Sequence, residues 1–181
     1  MSFQYFGLQK PVFARNGWEI PQPNPLVLEK YQQTEDLVRI QTVALVDEML
    51  GKGKTGLQIR SVSSHLYDCV GMIFANRRAW IDIEYVGQIL INDGYQPAAK
   101  DDLVVGDVVV YTLGSKRVHV GLVTRVLPKL GKISNTRVLS KWGKHGEVEH
   151  RMEDVPYYLG KPCEYWSERA PHDIERLFQS D

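Results

Sequence analysis

Cysteine is scarce in this chain, neither sign of charge prevails, and long apolar runs are missing. The two cysteines among 181 residues, Cys69 and Cys163, form no C-x-x-C pair and no disulfide framework. A reducing setting with both thiols free is therefore expected. Twenty-two basic residues balance 22 acidic ones, which argues against nucleic acid as a partner, since such binders carry a basic excess or stripe. No stretch approaches the roughly 20 apolar residues needed to cross a bilayer, so no membrane partner is expected. Met1-Ser-Phe-Gln-Tyr-Phe-Gly7 lacks the charged-then-apolar pattern of a secretory leader. Together these features lead us to expect a cytoplasmic protein. His145, His150 and Cys163 do not stand at zinc-site spacings, and no metal or cofactor is expected. Gly51-Lys-Gly-Lys-Thr-Gly56 follows a helix where a phosphate-binding loop follows a strand, and its glycine spacing is different.

What is present suffices for a buried core, with 43% of residues hydrophobic. Residues 1–33 read as an N-terminal arm. Pro11, Pro21, Pro23 and Pro25 keep it extended, and Tyr5, Phe6, Phe13 and Trp18 anchor it. Residues 34–181 read as a single domain. Its best helix runs from Thr34 to Leu50: Thr34 caps it, Glu35 and Asp36 suit the first turn, and Leu37, Ile40, Val43, Ala44, Val46 and Leu50 form its apolar face. A second helix opens at Cys69 and runs to about Arg77. A third spans about Ile83 to Asn92, with Asp82 as cap and Asp93-Gly94 as stop.

Beyond residue 103 the pattern changes to strands: Val108–Thr112, Val118–Val126, Arg137–Trp142 and a short Gly146–His150. The tail holds aromatic residues and a last helix at His172–Phe178. Helices first and antiparallel strands afterwards make an α+β chain, with its N-terminal helices packed on an antiparallel sheet.

Chemistry centres on Cys69. It follows a polar, turn-like run from Ser61 and opens a helix, where backbone amides and the helix dipole favour thiolate. Asp68 is its natural cap, and His65 also lies close by in sequence. A nucleophilic cysteine needs a base, and His119 interrupts the apolar strand Val118–Val126. Gly121 beside it marks close approach of another group. Tyr67 is a candidate oxyanion donor, with packing as its alternative role. Trp142, Tyr157, Tyr158, Tyr165 and Trp166 could wall a groove or cover a sheet edge. Cys163 reads as structural, and Arg77 and Arg78 as the solvated end of the Cys69 helix.

Tyr67-Asp-Cys-Val-Gly71, Gly106-Asp-Val-Val-Val-Tyr111 and His119-Val-Gly-Leu-Val123 together resemble the core of the papain-like cysteine peptidases of the NlpC type and of the related CHAP amidases. The resemblance covers about residues 60–142. It implies a papain-like core with Cys69 as nucleophile, His119 as general base, and a peptide or other amide as substrate. A third residue should orient the imidazole. Counting across the hairpin points to Ser140 first, with His150, or Glu149 beside it, as the alternative. Val70 stands where the family has a small residue, and Ser140 where it has a stronger orienting group. These departures leave a catalytically silent binding module on the same fold as the second expectation.

Overall fold

The computed structural model describes residues 10–23, 35–61, 66–127 and 135–168. Tyr5, Phe6, Pro25, the Thr34 cap, His65 and the helix expected at His172–Phe178 lie outside them. The chain is mixed α+β. A seven-stranded sheet runs β3 (Gln58–Ser61), β8 (Glu147–Arg151), β7 (Arg137–Lys141), β6 (Lys116–Arg125), β5 (Val108–Leu113), β9 (Lys161–Ser167) and β4 (Gln96–Pro97) from edge to edge. Every pairing in it is antiparallel. A small hairpin, β1 (Val12–Phe13) with β2 (Glu19–Ile20), belongs to the arm. It buries Val12 and Ile20 in the same cluster as Cys69.

Val108-Val-Val-Tyr111 is apolar at every position because both faces of the sheet are covered there. Alternate residues of a strand point to opposite faces. Val108, Val110 and Val120 pack with α2 (Cys69–Phe74) and α3 (Val86–Asn92) through Val70, Val86, Ile89 and Leu90. Val109, Tyr111, Val123, Val138 and Val148 pack on the other side with Val46 and Met49 of α1 (Glu35–Gly51). The expected helices thus sit on an antiparallel sheet, but divided between its two faces.

Helix α1 is rotated from the expected orientation. Of the expected face only Val46 is inside, while Ile40 is 63% exposed and Leu37, Val43 and Leu50 are 43% exposed. The inward row is Val38, Thr42, Val46 and Met49. Thr42 makes this possible: its hydroxyl donates to Val38 O at 2.7 Å and accepts from Gly146 N at 2.8 Å. A satisfied buried hydroxyl carries little desolvation cost, and this one ties α1 to the β7–β8 turn.

Other elements differ in extent. Helix α2 stops at Phe74, where Asn76 and Arg77 adopt positive φ values of 46° and 63°. A 3₁₀ turn at Ile83–Tyr85 precedes α3, and Asp82 makes no side-chain cap bond. Asp93 and Gly94 end α3 as expected, Gly94 at φ 81°. Strands β3 and β9 were not expected; β9 lies second from one edge of the sheet, between β5 and β4.

Candidate active site

Cys69 is the first residue of α2. Asp68 caps that helix by accepting from Gly71 N at 2.7 Å, and it also accepts from Ile81 N at 3.3 Å. Gly71 is required because a Cβ there would run into the Ala79 carbonyl oxygen. The chain therefore folds back on the helix start and buries it. Burial pushes the Cys69 thiol up to about 12, with the Asp68 carboxylate adding to the rise. Backbone N–H groups of Val120 and Val70 and the positive charge of Lys141 pull the other way without overcoming it. Burial also raises the Asp68 carboxyl to about 7. At neutral pH the resting cysteine is a thiol.

The structure does not join Cys69 to His119. The residue of β6 that meets Cys69 is Val120, and His119, one position earlier, points through to the opposite face. There it faces the Tyr111 ring at a centroid distance of 5.3 Å. Neither ring nitrogen of His119 has a hydrogen-bond partner among the described residues. Burial, with His150 nearby, lowers its pKa to about 3, so it is neutral. Ser140, His150 and Trp142 lie on this same face and are fully buried. They form their own chain: Trp142 Nε1 donates to Ser140 Oγ at 3.1 Å, and Ser140 Oγ lies 2.8 Å from His150 Nε2. His150 Nδ1 is 2.6 Å from Arg151 O. That contact assigns the proton to Nδ1 and makes Nε2 the acceptor from Ser140. Neither Ser140 nor His150 orients His119, and Trp142 is core rather than a groove wall.

Two further charged side chains on the Cys69 face, Lys141 and Glu147, come from residues that sequence reasoning passed over. Lys141 and Glu147 are directly paired across β7 and β8, on the Cys69 face. Lys141 has no exposed surface. Its Nζ donates to Gly143 O at 2.6 Å and His145 O at 3.1 Å, and lies over the rings of Tyr67 and Trp80 at 5.4 and 6.0 Å. Burial lowers its pKa to about 8, against the opposing pull of Cys69, Asp68 and Glu147. Glu147 accepts from Tyr67 OH at 2.7 Å and from both Nε and Nη2 of Arg77, at 2.5 and 3.0 Å. Burial alone would raise its carboxyl, but these bonds outweigh that and hold it below the usual range.

Tyr67 is thereby committed to Glu147 as a donor, and Arg77 is anchored rather than fully solvated. The left-handed Asn76–Arg77 pair re-aims the chain after α2 so that the guanidinium reaches Glu147. No local pattern in the sequence marks Lys141: alternation along β7 turns it away from the face that Ser140 and Trp142 occupy, and only the neighbouring segments bury it.

Cys163 is exposed on β9 and Glu149 pairs with Arg60. Tyr157 is 86% exposed, away from any groove wall. Among the described residues no group of three or more His, Cys, Asp or Glu side chains is placed to hold a metal ion, and no helix is long and apolar enough to cross a membrane. Comparison with known proteins finds no matching family model, no matching curated protein and no matching solved structure.

Proposed function

We propose that this chain is a thiol hydrolase acting on an amide bond, with Cys69 as nucleophile and Lys141 as its proton partner. The observation that carries the reading is the fully buried lysine on the Cys69 face of the sheet. A buried amine is costly to keep charged, and perturbed ionisable groups concentrate at functional sites. The neutral amine accepts the thiol proton. The ammonium so formed is held by the Gly143 and His145 carbonyls and by two aromatic faces. The thiolate then attacks the carbonyl carbon, Lys141 returns the proton to the leaving amine, and water releases the acyl group. The resemblance to NlpC-type peptidases supports a peptide or cell-wall-derived amide as substrate. In this reading His119 supports the core and takes no part in the chemistry.

The test is hydrolysis of a panel of fluorogenic peptide amides and activated esters by wild type, Cys69→Ala, Lys141→Met and His119→Ala. The expected result is loss of turnover in the first two variants, survival in His119→Ala, and a wild-type rate that rises through about pH 8 as the amine form appears. Equal rates in wild type and Cys69→Ala would end the proposal. A second reading, a catalytically silent binding module, is favoured by the separation of Cys69 from His119 across the sheet. It predicts that wild type binds peptides from the panel without turning them over.

A further inference from the structure

We propose that the outer face of α1 is a self-association surface that pairs antiparallel with α1 of a second copy. Ile40, Val43 and Leu50 are 63%, 43% and 43% exposed, and Ala44 beside them is also exposed. They lie along one side of a 17-residue helix, which the inward row of Val38, Thr42, Val46 and Met49 leaves facing outward. A stripe of this kind marks an interaction surface.

The charges on the stripe select the occupant. Asp47 stands among the apolar residues, exposed, and makes no ion pair or side-chain hydrogen bond with any described residue. Arg39, with a side chain 62% exposed, reaches only Asp36 among the described residues, at 3.5 Å. Arg39 and Asp47 both lie four residues from Val43, about 6 Å of helix rise on either side. An antiparallel copy crossing at Val43 therefore brings each Arg39 level with the partner's Asp47, twice over by symmetry. A two-fold interface must be self-complementary in this way. Val43 then packs on its own counterpart, and Ile40 fills the space beside it. One helix face gives an interface at the small end of the size range, so the association is weak, with a dissociation constant of roughly 10–100 μM.

Sedimentation velocity over a concentration series, under reducing conditions, tests this. Wild type is expected to shift from monomer to dimer across the series. Ile40→Arg is expected to remain monomeric. Arg39→Asp and Asp47→Arg are each expected to weaken association at least tenfold, while the double swap returns it to within about threefold of wild type. Far-UV circular dichroism verifies that each variant keeps its helix. A wild type that stays monomeric at about 500 μM, well above the expected constant, would overturn the proposal. So would dimers indifferent to Ile40→Arg, or a double swap that restores nothing.

Discussion

Replacing Asp68 by asparagine keeps the acceptor that caps α2 and removes the charge. It therefore isolates the cost of an ionised carboxylate beside Cys69. The folded carboxyl titrates near 7, against an ordinary value of 3.8. The folded chain holds this proton more tightly than the unfolded one. The stabilisation from it is full below pH 3.8 and is lost as the pH rises through 7. At 1.36 kcal/mol per pH unit the whole gap amounts to about 4 kcal/mol, and partial exposure of Asp68 reduces this to about 2–4 kcal/mol. An asparagine side chain does not titrate, so the Asp68→Asn variant is expected to be the more stable form at pH 8 by that amount, about 5–15 °C in melting temperature. Below pH 4 the two should agree to within the few tenths of a kcal/mol by which good caps differ. Urea unfolding of both proteins between pH 3 and 8 measures the difference; titrating groups that do not sense Asp68 cancel, and Lys141 and Cys69, which do, add their share at the upper end of the range. A variant uniformly less stable at all pH values would show that Asp68 is a charged cap throughout, and the reasoning would fail.

Three further outcomes follow from the packing. Gly71→Ala drives a methyl into the Ala79 carbonyl and should cost about 3 kcal/mol or more in thermal or urea unfolding. Tyr111→Phe removes the buried hydrogen bond to Met152 O, 3.0 Å long, and should cost about 1–2 kcal/mol in the same assay. His119→Ala should lower stability by about 2–3 kcal/mol through the cavity it leaves. The iodoacetamide rate of Cys69 in that variant should stay within about twofold of wild type, as the sheet separates the two side chains.

Much of the fold could be read from the chain because local patterns dictate it. The β-branched run at Val108–Val110, the Asp93-Gly94 helix stop and the Asp68 cap each have a local physical cause. What could not be read depended on which way an element faces. A Val118-His-Val120 strand alternates under either orientation, and only the placement of α2 decides that Val120, and not His119, meets Cys69. Helix α1 carries two apolar rows about half a turn apart. Thr42 made the correct one look polar until Gly146 N and Val38 O supplied its partners. The tail strand β9 was hidden by its mixed composition, because Arg117 pairs with Glu164 at 2.8 Å and lets charge sit on a strand near the sheet's edge. Lys141 looked like an ordinary strand residue. Its role depends on carbonyls of the β7–β8 turn and on rings from two other segments, none of which leaves a local pattern.

The rate of Cys69 alkylation against pH, in wild type and in Lys141→Met, tests the central claim most directly, with exposed Cys163 as the internal reference. A coupled thiol–amine pair loses its first proton as a unit. The wild-type rate should therefore rise through about pH 8 and level off. In Lys141→Met the lone buried thiol should react more slowly, with a rate that climbs steadily to the top of the accessible range and shows no step. Superimposable profiles for the two proteins would contradict the account, and Cys69 would then be a buried core thiol that Lys141 does not serve.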